Sequence, residues 1–208
     1  MCANYSSATL DDSLRTKFVE YHNRVRAAVA NGYAHLGKYG YTKYAADMEV
    51  MMWHCQAEER VIKIAAKCKG MHTSLTVPYG YKMNTILVEN KGQSEDQIIE
   101  EALGKWRNQL TTVDTLGDYT ADMDNKIAQA TKMIWHSNNK VACAYSKCKD
   151  TKYYGVACLY AQGGNEVGKP IYTKEDEWAF ICTSCPTGTK CDHETDKLCY
   201  PEWALGGN

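Results

Sequence analysis

The chain has 208 residues, enough for one domain of ordinary size with its own core and a small appendage. Its 24 Lys and Arg stand against 25 Asp and Glu, a net charge of −1 with no block of like charge, which argues against nucleic acid or an anionic membrane as partner. No apolar run approaches the roughly 18 residues of a membrane span, and ten cysteines, an even number, point to disulfides and an oxidising compartment.

The opening MCANYSS carries no charged and apolar leader, so it reads as a mature secreted chain whose leader has been removed. Asn4-Tyr5-Ser6 is the one glycosylation sequon, placed where a terminus leaves it accessible. Leu10, Leu14, Phe18, Tyr21 and Val25 recur at three- and four-residue steps before Gly32, which predicts a first amphipathic helix. A second helix is expected over 47–67, with Met51, Cys55, Val61, Ile64, Ala65 and Cys68 facing inward. Its Glu58-Glu59 pair reads as solvated surface. Ser94 opens a third helix, with Gln97 completing a capping box and Ile98, Leu103, Trp106 and Leu110 as its buried stripe. A shorter fourth helix is expected over 125–135.

Strand signals come later. Residues 141–145 and 152–160, rich in Val, Tyr and Cys and separated by a polar 146–150 connection, predict a hairpin. Helices mostly precede strands instead of alternating with them, which favours an α+β fold. From Cys182 the chain becomes a cysteine-rich tail.

Four stretches, in order, carry a resemblance. FVEYHNRVR holds an HN-x-x-R at His22, Asn23 and Arg26. KMIWHSNNKVACAYSKC is a Met-Ile-Trp stretch running into a cysteine-bearing strand. YYGVACLYAQGGNEVGKPIY places Cys158, Tyr160, Gly164, Asn165, Gly168 and Tyr172, and CTSCPTGTKCDHETDKLC ends the series. The set resembles the CAP superfamily (SCP/TAPS) of cysteine-rich secretory proteins, venom antigen 5 and pathogenesis-related proteins. Within it, the chain is similar to the activation-associated secreted or venom-allergen-like proteins of parasitic nematodes. The resemblance implies a three-layer α-β-α sandwich with a central antiparallel sheet over 1–175, the CAP domain, and a cysteine-rich hinge-like tail over 176–208.

It also implies a cavity in which two His and two Glu hold a divalent cation such as zinc, a donor set that suits such ions. Carried over position by position, the first His falls on His72, but the first Glu falls on Met83, the second Glu on Gln109 and the second His on Gln129. A thioether and two neutral amides supply no charge against a dication, so the cavity is expected to be degenerate and to need no cofactor. His136 lies seven residues from Gln129, about 10 Å along a helix, and cannot take its place.

No catalytic residue is expected. There is no Gly-x-Ser-x-Gly elbow, no paired cavity carboxylates and no phosphate-cradling loop. Cys2, Cys55, Cys68, Cys143, Cys148, Cys158, Cys182, Cys185, Cys191 and Cys199 are all expected in disulfides, which leaves no thiolate nucleophile. Cys182-x-x-Cys185 could be a redox pair or half a zinc site, but a staple is favoured. His22 reads as structural. The functional expectation is a secreted, non-catalytic protein acting on a host, its partner an unidentified host protein or a lipid such as a sterol or fatty acid. The alternatives are a sterol or fatty-acid carrier and, disfavoured, a metal-dependent hydrolase. The loop before Met133 offers only Tyr119 as an aromatic for a sterol.

Overall fold

The computed structural model describes residues 1–2, 10–69 and 75–205. Asn4 and His72 therefore lie outside the described residues. The chain divides into two compact units, one of residues 1–21, 52–106 and 140–163, the other of residues 22–51, 107–139 and 164–208. Helix α1 (Asp12–Ala30) runs through the division and stops where expected, with Gly32 at φ +74° supplying the left-handed turn.

The first unit is built on a four-stranded sheet of β4 (Met52–Trp53), β5 (Tyr81–Glu89), β6 (Lys140–Lys147) and β7 (Tyr153–Ala161), in the order β4-β6-β7-β5. The predicted hairpin is present as β6 and β7. Its three long strands are antiparallel, while the two-residue β4 joins the edge of β6 in parallel. Strand β5, not anticipated from the sequence, pairs with β7 over its whole length. Residues Tyr154 to Ala161 of β7 are buried without interruption, so both faces of the sheet are covered.

Helix α2 (Glu58–Ala65) covers one face. Val61, Ile64 and Ala65 pack on Ala142 and Ala144 of β6 and on Ala157 and Leu159 of β7. The three alanines among these strand positions let the helix come close. At Gly155 a Cβ would sit 2.4 Å from the Ala65 carbonyl oxygen, so only glycine fits. Disulfides Cys2–Cys55, Cys68–Cys148 and Cys143–Cys158 staple this unit, the last across directly opposed residues of β6 and β7. Helix α3 (Glu95–Arg107) begins with the predicted capping box. The Ser94 amide donates to Gln97 Oε1 at 3.0 Å, and the Gln97 amide donates to Ser94 Oγ at 3.3 Å.

The second predicted helix is a correction. Only residues 58–65 are α-helical, after one 3-10 turn at Cys55–Ala57, whereas 47–54 are extended or irregular. Residues 45–51 are buried at every position, the pattern of a segment enclosed on both sides and not of an amphipathic helix. Glu58 is a second correction. It is completely buried while Glu59 is exposed, because the Glu58 carboxylate accepts a bidentate pair from Arg15 Nε and Nη2 at 2.8 and 2.9 Å. The Leu10 amide and the Trp53 indole N–H donate to it at 2.7 and 3.0 Å.

The second unit carries little regular structure. It holds the two-residue pairs β1 (His35–Leu36) with β2 (Gly40–Tyr41) and β3 (Tyr44–Ala45) with β8 (Lys174–Glu175), the tail hairpin of β9 (Thr189–Cys191) and β10 (Cys199–Pro201), helix α4 (Ala128–Ile134), and the terminal turn α5 (Glu202–Leu205). Side chains do the tying instead. Arg26, completely buried, donates from Nε to the Glu49 carbonyl and from its two Nη atoms to the Met133, Trp135 and His136 carbonyls, at 2.7 to 2.9 Å. The Asn23 amide brackets Met51, accepting from its N–H and donating to its carbonyl. In the tail the four cysteines pair among themselves as Cys182–Cys191 and Cys185–Cys199. The Cys182-x-x-Cys185 residues are thus not bonded to each other, and no cysteine is left free.

The Arg15–Glu58 pair has a signed pH dependence. Burial pushes the Glu58 carboxyl up, but the Arg15 guanidinium, the Leu10 amide and the Trp53 indole outweigh burial and hold it below its ordinary value. A depressed folded-state pKa contributes stability above the unfolded carboxylate value, about 4.3, and loses it as pH falls through the lower folded value. Glu58→Gln is expected to cost about 3–5 kcal/mol in urea unfolding at neutral pH, because it leaves Arg15 buried and unpaired. The gap between variant and wild type should narrow as pH drops below about 4, and Arg15→Met with Glu58→Leu should restore most of the stability.

Candidate functional site

Of the four positions the resemblance assigns to the cation cavity, two are brought together within the second unit. Gln109 sits in the 3-10 turn Asn108–Thr112 that continues α3, and Gln129 is the second residue of α4. Helix α4 starts poorly by itself. Its N-cap, Ile127, has no side-chain acceptor, so the first amides of the helix need one from elsewhere. Gln109 supplies it, its Oε1 accepting from the Gln129 and Ala130 amides at 3.0 and 3.1 Å. That orientation aims its Nε2 at the other glutamine, and Gln109 Nε2 donates to Gln129 Oε1 at 2.6 Å. Both side chains are half-buried.

An amide is the group that can do this. It offers an acceptor to the helix and a donor to its neighbour, so an amide pair satisfies itself. Two carboxylates at this spacing would repel each other, and a carboxylate facing an imidazole would leave a charge to be balanced. The pair carries no charge, and both polar atoms of Gln109 and Oε1 of Gln129 already face partners, so it fits a dication poorly.

Met83 belongs to the other unit. It lies on β5 opposite Leu159 of β7, and its half-buried side chain packs against the apolar cluster under α2. Its surroundings are those of a core side chain. His136, considered as a substitute ligand, points elsewhere, with Nδ1 3.2 Å from Asp47 Oδ2. Asp47 in turn accepts from the Thr173 amide and hydroxyl at 2.9 and 2.5 Å. His22 is completely buried.

Tyr119 is also completely buried, so it offers no exposed ring to a ligand. Its hydroxyl donates to Asp124 Oδ1 at 2.5 Å and accepts from Asn165 Nδ2 at 3.1 Å. Burial, then the Asp124 carboxylate, pushes this phenol well above its ordinary value. Thr131 Oγ1 donates to Asn165 Oδ1 at 2.7 Å, and Asn165 Nδ2 also donates to the Ala128 carbonyl at 3.0 Å. Asn165 thereby ties the start of α4 to the loop at Gly164, where a Cβ would meet Trp135 at 3.3 Å. Sequence reasoning placed Asn165 in a motif but missed this role, because its partners lie 34 to 46 positions away.

The sequence and fold match known proteins. The family model described as the cysteine-rich secretory protein family, CAP, matches residues 19–160. The chain is 29% identical over 200 residues to Ancylostoma secreted protein of Ancylostoma caninum, covering 93% of this chain but 46% of that relative, so it spans about half of that protein's length. It is 27% identical over 189 residues to hookworm platelet inhibitor 1 of the same organism, covering 91% of this chain and 83% of the relative. Among solved structures, that of NaASP2 with Zn2+ superposes with a TM-score of 0.79 at 28% identity, covering 91% of this chain and 96% of that one. Na-ASP-1 superposes at 0.80 with 27% identity, covering 96% of this chain and 49% of its own. The four motifs, the paired cysteines and the α+β build have one common explanation: the chain belongs to the cysteine-rich secretory protein (CAP) family.

Proposed function

We propose that the chain is a secreted, non-catalytic CAP protein of a parasitic nematode that acts on its host by surface recognition of a protein or a lipid. The observation that supports this reading is the Gln109–Gln129 pair, in which Gln109 binds both the Gln129 side chain and the start of α4. Met83 adds to it by packing as a core residue where the family pattern has an acid. The relative named for platelet inhibition and the relatives named as secreted proteins agree with action outside the cell. Ten cysteines in five disulfides fit the same compartment. Hydrolysis has little support, since neither a free thiol nor a pair of cavity carboxylates is present among the described residues. The structure of NaASP2 is with Zn2+, but a thioether and two neutral amides fit that ion poorly.

Two measurements test the reading. Zinc should not raise the melting temperature at concentrations that stabilise a relative with two His and two Glu, because stabilisation follows RT ln(1 + [L]/Kd). The double variant Gln109→Glu, Gln129→His, whose two donors both lie in the second unit, should gain a zinc-dependent rise in melting temperature that the wild type lacks. Wild-type protein already stabilised by micromolar zinc, with loss on His72→Ala, would overturn the proposal.

The second measurement isolates the cap. Gln109→Ala should cost about 0.5–2 kcal/mol in urea unfolding, as expected for a lost helix cap, whereas Gln109→Glu keeps an acceptor for the same amides and should cost less. Equal losses would show that the side chain does not act as a cap.

A further inference from the structure

The charge pattern of the chain hides a repeat that only the disulfides disclose. Cys68 and Cys148 are each flanked on both sides by lysine, as Lys67-Cys68-Lys69 and Lys147-Cys148-Lys149. These triplets lie 80 positions apart, and their disulfide holds the two Cα atoms 5.7 Å from each other. Four lysines are therefore gathered at one place in the first unit, and all four are exposed. No described acid forms an ion pair with any of them. Asp150 is the acidic neighbour in the same loop, and Lys152, two residues on, is held by Glu89 at 2.5 Å.

The ground around them is concave. A cleft of about 340 Å³ is lined by Lys67, Cys68, Leu87, Lys149 and Tyr153, among others. It adjoins a wider cleft over 147–152, and the two share Cys148, Lys149 and Thr151 in their walls. The basic surface is thus elongated. Gathering four like charges opposes folding slightly, and no internal partner offsets the cost. The arrangement suits a ligand that brings its own row of negative charges.

We propose that the twin Lys-Cys-Lys cluster is a docking surface for a sulfated polysaccharide chain. Each exposed ion pair contributes little alone, so useful affinity needs several at once, which a repeating polyanion supplies. Among polyanions the sulfated glycan fits best, because the disulfide that builds the cluster forms and persists in an oxidising, extracellular setting. The choice of glycan rests on the extracellular reading above, while the cluster itself does not. The net charge of −1 gives the test its contrast, since retention on a polyanion cannot come from overall charge.

The test is chromatography on immobilised heparin with a salt gradient, followed by calorimetry with a heparin oligosaccharide. Wild-type protein should be retained at low salt and released as salt rises. The variant Lys67→Ser, Lys69→Ser, Lys147→Ser, Lys149→Ser should bind about tenfold more weakly or flow through. A control replacing the exposed Lys38, Lys169, Lys174 and Lys190 by Ser changes the net charge equally and should remain bound. Circular dichroism and thiol titration confirm that each variant is folded with Cys68–Cys148 closed. Wild-type protein in the flow-through, or equal weakening in the control, would overturn the proposal. Binding to phosphatidylserine vesicles without retention on heparin would also overturn it, in favour of a membrane. Zinc response is unaffected by either outcome, so this test and that of the cavity fail separately.

Discussion

Much of the second unit depends on one guanidinium. Arg26 has five N–H donors, no acceptor and a planar fork, and it is wholly enclosed. Three of the four carbonyls it binds, from Met133, Trp135 and His136, lie at the end of α4, where a helix leaves carbonyls without partners and favours a positive charge. The fourth, from Glu49, belongs to a buried stretch with almost no ladder of its own. One side chain thus satisfies a helix end and an irregular segment together. One turn earlier on the same helix, Asn23 does the same for Met51. A buried backbone without regular hydrogen bonding is tolerable only when its polar groups are answered in this way. Lysine could not answer four carbonyls in a plane.

What the sequence discloses follows from how local each cause is. Helix α1 is legible because its stripe and the glycine that ends it lie within one stretch. The start of α3 is legible because Ser94 and Gln97 need only each other. The β6–β7 hairpin is legible for the same reason. The segment 47–54 misled because apolar residues are plentiful there, and enclosure from both sides erases periodicity. Glu58 misled because its partner, Arg15, is 43 positions away. Strand β5 went unread because its pairing with β7 spans the chain, although the run Thr85-Ile86-Leu87-Val88 carries the β-branched signal. At the site, the loss of acid and imidazole could be read directly from Met83, Gln109 and Gln129. That the two amides close on each other and on α4 could not, because the unsatisfied amides behind Ile127 appear only once the helix boundary is known.

The amide pair has a different energetic character from an ion site. Cavity groups that hold an ion are charged and must be balanced, so they cost stability until the ion arrives. Amides of similar size fill the space, take over a helix cap and stay neutral. Within the first unit the exterior is shaped by disulfides as much as by the sheet, since Cys68–Cys148 decides which loops stand side by side.

The tail gives connectivity a different meaning. Its two bonds are interleaved in sequence, Cys182 to Cys191 and Cys185 to Cys199, so each closes a loop that holds one cysteine of the other. A protease cutting between Cys182 and Cys185, at Lys190, or at Lys197 leaves both resulting pieces joined by at least one sulfur bridge. Cutting at Lys190 and Lys197 together still frees nothing. Had the bonds run in series, as Cys182 to Cys185 and Cys191 to Cys199, a single cut at Lys190 would have shed the end of the chain. Between Cys182 and Cys199, then, any single cut nicks the tail without shedding a piece of it.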